Sequence, residues 1–215
     1  MRIVTNIILG CFGLTSLLHL YAAFYHKEHM RRMTKVCIMP LLVAYYVLLV
    51  GASLFTVPLG AIFGWAGDVF LIKIDRKHYF RMGLFFLLLG HLFYVFSLLY
   101  YAETIFMQPL IISIIIALPL CAGIFFFSRP ARGMRFYVVI YGMVIEAMSI
   151  SALQLMLNHT GLWGVVIFAG SLLFMVSDSL LACFTFNTPP KYGDIYVMLP
   201  YILAQASLVV GLAQL

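Results

Sequence analysis

Charge is what this chain has least of. Asp, Glu, Lys and Arg make up 9% of its 215 residues, and hydrophobic types make up 65%, whereas soluble domains carry about 25% charged residues. That imbalance excludes a soluble globular domain, because one core of this size cannot hide so much apolar surface from water. Cysteine is nearly as scarce. Cys11, Cys37, Cys121 and Cys183 stand alone in apolar runs, with neither a metal-ligand spacing nor a disulfide framework, so each is expected to be a small buried hydrophobe. No G-x-G-x-x-G, Walker loop or H-E-x-x-H occurs, so no cofactor is expected.

Long apolar runs fill the space that charge leaves, with a mean hydropathy of +1.09. A span of the roughly 30 Å hydrocarbon layer takes about 20 such residues. The runs predict an all-α polytopic membrane bundle of eight transmembrane helices, a single domain over 1–215. Their places are roughly 3–25, 36–53, 57–74, 81–101, 107–127, 135–157, 161–184 and 195–214. The first run is too long for a signal-peptide core and lacks a cleavage site, so it reads as helix one. Between helices two and three the chain is uncharged, and Gly51 and Pro58 favour a tight hairpin there.

The basic residues orient the bundle. Lys27, Arg31, Arg32 and Lys35, then Lys73, Arg76, Lys77 and Arg81, then Arg129, Arg132 and Arg135, then Lys191 fall in alternate connections, and only Arg2 dissents. Positive charge marks the cytoplasmic side, which puts both termini outside. The net charge of +6 is thus a topology signal with some pull on anionic lipid. It is no argument for nucleic acid. Short loops point to a bacterial inner membrane.

A repeat lies within the apolar sequence. Helix three carries Gly60, Gly67, Asp68 and Leu71, and helix seven carries Gly170, Ser177, Asp178 and Leu181, both fitting G-x6-[GS]-D-x-x-L. The offset is four helices, an even number, which predicts a parallel 4+4 duplication with both aspartates at similar depth. An acid inside a span costs about 2.5–3.5 kcal/mol on insertion scales and therefore faces the bundle interior. Glu146, His19 and His91 are expected in the same layer, with Tyr94, Tyr141, Tyr201 and Gln205 adding hydrogen-bonding capacity. Helical spacing supports this, because Thr15 and His19, His91 and Tyr94, Gly142, Glu146 and Ser149, and Tyr201 and Gln205 each share a face. Gly60, Gly64 and Gly67 form a small-residue face that admits a neighbouring helix closely. The plainer alternative is that these polar groups only join helices, and it fits Gln205, Thr15, Ser149 and Tyr201 best.

Two carboxyls in one confined site do not share charge equally. One keeps a proton while its partner is ionised, which provides a general acid and a general base. Hydrolysis through an oxocarbenium ion suits that division, and a vinyl ether reacts this way.

The runs G-D-V-F-L at 67–71, G-H-L-F-Y at 90–94 and S-D-S-L-L-A at 177–182, in an eight-span chain, resemble the YhhN family of lysoplasmalogenases. The resemblance covers nearly the whole chain. It implies a membrane hydrolase that cleaves the sn-1 vinyl ether of lysoplasmalogens, releasing a fatty aldehyde and glycerophosphoethanolamine or glycerophosphocholine. It implies Asp68 and Asp178 as catalytic acids and His91 and Tyr94 as lining residues. Lys35 resembles the family's lysine at the start of helix two, although Val36 stands where proline often follows and proline is delayed to Pro40. His19, Glu146, Ser177 and Tyr201 join the expected substrate-binding set by position. Lys35, Lys73, Arg76 or Arg132 would meet a headgroup phosphate. The expected partners are a lysophospholipid substrate and membrane lipid, and no metal is expected. Three rival readings remain open at this point. They are a proton-coupled transporter built on the parallel repeat, a metal hydrolase using His19, His91, Asp68 and Asp178, and a non-catalytic assembly protein.

Overall fold

The computed structural model of the chain describes residues 2–51, 55–72, 77–130 and 132–215; in addition, the side chains of Lys77, Ile116, Ala117, Leu120, Cys121, Ile124 and Arg132 lie outside the description. Among the described residues there are eight α-helices and no strand. They are α1 (Arg2–Phe24), α2 (Glu28–Val50), α3 (Thr56–Leu71), α4 (Lys77–Ala102), α5 (Met107–Ser128), α6 (Arg135–Asn158), α7 (Leu162–Phe186) and α8 (Gly193–Leu212), with a 3-10 turn at Arg132–Met134 before α6. Six of them, α1, α2, α4, α6, α7 and α8, are long and apolar enough to cross a membrane, whereas α3 is apolar but 16 residues long.

The largest departure from the expected boundaries is the start of α2. Hydropathy places it near residue 36, but the helix begins at Glu28, so Arg31, Arg32 and Lys35 are helical rather than part of a loop. Hydropathy marks where lipid begins, not where backbone hydrogen bonding does. Here an acid in the first turn, which favours a helix N-terminus, pairs with Arg31 at 3.0 Å and Arg32 at 3.6 Å along the helix. Asp194 in the first turn of α8 also meets Arg31, at 3.1 Å, and so ties α2 to α8. At the expected hairpin, Gly51 closes α2 with φ at 77° and its amide bonded to Val47, a backbone conformation open to glycine. Residues 52–54 lie outside the description, and Pro58 sits in the first turn of α3, where a missing amide costs little. Cys11 and Cys37 are exposed rather than buried. In a bilayer the lipid is itself the apolar phase, so a small hydrophobe need not face the protein interior. Cys121 lies outside the description.

Helix α3 packs most closely on α4, and α7 on α8; α1 packs on α2, α4 and α5 pack on α6, α6 packs on α7, and α2 touches both α3 and α8. The expected glycine face is real, and it has a counterpart. A methyl group built on Gly90 would lie 2.8 Å from the Gly60 carbonyl and 2.9 Å from the Gly64 amide. One built on Gly67 would lie 3.0 Å from the Gly83 carbonyl. The α3 and α4 backbones therefore touch directly, and Asp68 is carried on the helix so fixed. At the far end of α6, Gln154 exchanges two hydrogen bonds with the Phe106 backbone and Asn158 donates to the Thr104 carbonyl, which satisfies the connection into α5.

Gly90→Ala is expected to cost about 1–3 kcal/mol of stability, since backbone rather than a movable side chain must give way. Gly10→Ala, where an added methyl meets nothing within 4 Å, should leave the melting temperature unchanged or slightly raised. Thermal unfolding of both variants in detergent checks the contrast.

Candidate active site

Asp68 and Asp178 are each held by side chains from two other helices. Asp68 on α3 is 5% exposed. Its Oδ1 lies 3.4 Å from the Lys35 ammonium of α2, and its Oδ2 accepts a hydrogen bond from the Tyr201 hydroxyl of α8. One turn earlier, the Trp65 indole donates to the Val36 carbonyl at 2.8 Å and fixes α3 against the part of α2 that carries Lys35. Asp178 on α7 is 7% exposed. The Tyr141 hydroxyl of α6 donates to its Oδ2 at 2.5 Å, and Nε2 of His91 on α4 stands 3.7 Å from the same oxygen. Hydrogen bonds to an ionised acceptor are about twice as strong as neutral ones. Such bonds offset the desolvation that would otherwise keep an acid out of this layer.

Aromatic rings join the two acid positions. The His91 ring meets Phe174 edge-on at 4.5 Å, and Phe174 meets Tyr201 at 5.5 Å, so a phenyl ring stands between one partner of Asp178 and one partner of Asp68. The partners also cross. His91 and Tyr201 each follow an aspartate of the repeat by 23 residues, yet His91 meets Asp178 and Tyr201 meets Asp68. Each acid thus has one partner from its own half of the chain and one from the other.

Two openings reach this region. A cleft of about 550 Å³ lies at the basic end of the bundle, lined by Arg31, Arg32, Lys35, Leu71, Asp194 and Met198 among others. It carries cations and an acid together. A separate narrow groove of about 40 Å³ runs between α5, α6 and α7, where Phe125, Val138 and Met175 lead to Tyr141, Glu146 and Asp178.

The sequence-predicted residues divide accordingly. Lys35, Asp68 and Tyr201 come together, as do His91 and Asp178, with Glu146 on the same groove as Asp178. Tyr94 turns instead to Gln205, donating at 2.8 Å to its carbonyl, although Gln205 is fully buried and its amide nitrogen has no partner. His19 is buried against Thr34 of α2 at 2.9 Å, and Ser177 donates to the Val197 carbonyl at 2.9 Å, linking α7 to α8. Lys73 and Arg76, and the side chain of Arg132, lie outside the description. Sequence reasoning left Tyr141 and Phe174 out of the site. A signal existed for Phe174, which precedes Asp178 by one helical turn and so shares its face. Tyr141 was legible only as an inward hydrogen-bonding group.

The YhhN family pattern matches residues 30–212, most of the chain. Among curated proteins and solved structures, none matches it.

Lys35→Met removes the cation beside a buried carboxylate, so it should destabilise the protein by roughly 2–3 kcal/mol, below the fully buried case because Lys35 keeps some exposure. Adding Asp68→Asn should recover most of that loss. Unfolding of the single and double variants measures the coupling.

Proposed function

The chain belongs to the YhhN family, whose known activity is lysoplasmalogenase, and on that premise we propose that it hydrolyses the sn-1 vinyl ether of lysoplasmalogens by acid–base catalysis between Asp68 and Asp178. The products are a fatty aldehyde and glycerophosphoethanolamine or glycerophosphocholine. The observation that carries the proposal is the pair of buried carboxyls, each held by a tyrosine hydroxyl, one paired with a lysine that lines a polar cleft and the other on an apolar groove. An amphipathic substrate needs that combination. Its phosphate belongs in the cleft with Arg31, Arg32 and Lys35, and its apolar part belongs on the lipid side, near Glu146 and Asp178.

Chemistry requires a proton on the vinyl carbon distal to the ether oxygen, after which the oxygen shares the positive charge. A nearby carboxylate stabilises that oxocarbenium ion and draws a proton from the attacking water. The resulting hemiacetal collapses to aldehyde and alcohol. Tyr201 and Lys35 hold Asp68, and Tyr141 and His91 hold Asp178, so both carboxyls are oriented before substrate arrives.

We place the protein in a membrane as eight spans in a parallel 4+4 arrangement, both termini outside and the basic end cytoplasmic, in a bacterial inner membrane. The packing supports the repeat, since α3 on α4 corresponds to α7 on α8, α1 on α2 to α5 on α6, α2 on α3 to α6 on α7, and α4 on α6 to α8 on α2.

Purified protein in detergent should release aldehyde from a synthetic lysoplasmalogen. Asp68→Asn and Asp178→Asn should each lower the rate by about 10²–10⁴-fold while eluting as folded protein. Full activity in either variant would sink the paired-acid mechanism. No release by folded wild type would sink the hydrolase reading and make substrate flux into liposomes the next measurement.

A further inference from the structure

The two acids are chemically unequal, and we infer that Asp178 is the general acid, its carboxyl protonated and facing His91, while Asp68 is the standing carboxylate. The chemical step rests on the hydrolase reading above; the difference in protonation rests on geometry alone.

The argument begins at His91, which is 2% exposed. Its Nδ1 lies 2.7 Å from the Leu87 carbonyl. A carbonyl oxygen only accepts, so Nδ1 carries the hydrogen, and in a neutral imidazole Nε2 is then a lone pair. That Nε2 is buried with no hydrogen-bond partner, and it faces Asp178 Oδ2 at 3.7 Å. A lone pair set opposite a carboxylate is repulsive. A hydrogen on the Asp178 carboxyl removes the repulsion and sets a donor opposite the unpartnered Nε2, at a separation just beyond hydrogen-bond length. Among the described residues no lysine or arginine forms an ion pair with Asp178, whereas Asp68 has the Lys35 ammonium at 3.4 Å. A cation in contact stabilises the ionised form of its carboxylate and disfavours the neutral one. The repeat has thus given its two acids different neighbours, a cation for one and an imidazole for the other.

This division closes the reaction cycle. The C=C electron pair of the vinyl ether takes the proton from Asp178, forming the new C–H bond and leaving Asp178 ionised, while an ether oxygen lone pair forms the oxocarbenium C=O bond. Water adds its lone pair to that carbon and gives a proton to Asp68. In the collapse, Asp178 removes the hemiacetal hydroxyl proton, the C–O bond to glycerol breaks, and Asp68 protonates the departing oxygen. One water is consumed and both acids return to their starting states. His91 neither gives nor takes a proton in this cycle; it acts on the placement of the Asp178 hydrogen and is a positioning residue.

Infrared spectra of the full chain in detergent, without substrate and in both H₂O and D₂O, test the assignment. The expected result is a protonated-carboxyl C=O band that vanishes in Asp178→Asn and persists in Asp68→Asn. Lys35→Met should add a second such band as Asp68 takes a proton. A band lost in Asp68→Asn and kept in Asp178→Asn, or no protonated-carboxyl band in wild type, overturns the inference. Should Asp178→Asn fail to fold, Tyr141→Phe serves instead. Loss of its O–H bond shifts the band if Asp178 carries the proton, and an unshifted band counts against the assignment. Because nothing is turned over, this result stands apart from whether the vinyl ether is hydrolysed.

Discussion

A carboxyl group in a low-dielectric layer must have its charge answered by groups that touch it, and the bundle is arranged around that requirement. Two acids in a chain with so few charges need donors brought to them by other helices. The tyrosine hydroxyls of α6 and α8 and the Lys35 ammonium of α2 supply them, and the imidazole of α4 stands beside Asp178. Each of these contacts joins separate helices, so a chemical demand at two side chains becomes a constraint on how α2, α3, α4, α6, α7 and α8 pack. Helix α3 also lies directly on α4, and the glycines on both helices permit that approach.

Much of the fold was legible in the sequence because a bilayer leaves little choice: apolar runs of the right length become helices. What hydropathy misread was α2, whose first two turns are polar and still helical because Glu28 lies where both arginines can reach it. The repeat made Asp68 and Asp178 visible as a pair. It could not identify their partners, because a motif fixes a residue's place along its helix and not which neighbouring helix it faces. Tyr94 and Tyr201 illustrate the gap. Both are buried tyrosines, yet one meets an amide and the other a carboxylate. Phe174 was passed over for a different reason: it shares a helix face with Asp178, but as an ordinary apolar residue it shows its significance in standing between His91 and Tyr201.

The two openings differ as the two ends of a lysolipid differ. The basic cleft has room and mixed charge, while the groove between α5, α6 and α7 is narrow and mostly apolar. Among the described residues, helix α5 packs on α6 and α7, and it carries large exposed side chains such as Phe126 and Phe127. In a bilayer those surfaces meet acyl chains, the phase in which a lipid's apolar part already resides.

The crossing of partners has one more consequence, for assembly. The first four helices contain Lys35, Asp68 and His91, and the last four contain Tyr141, Asp178 and Tyr201. Either set alone would leave its aspartate with one of its two partners and its imidazole or phenol without the carboxyl it meets. The seam between the halves is therefore the site itself: cutting the connection between α4 and α5 would leave two fragments that each hold an incomplete acid and that complete one another only by docking.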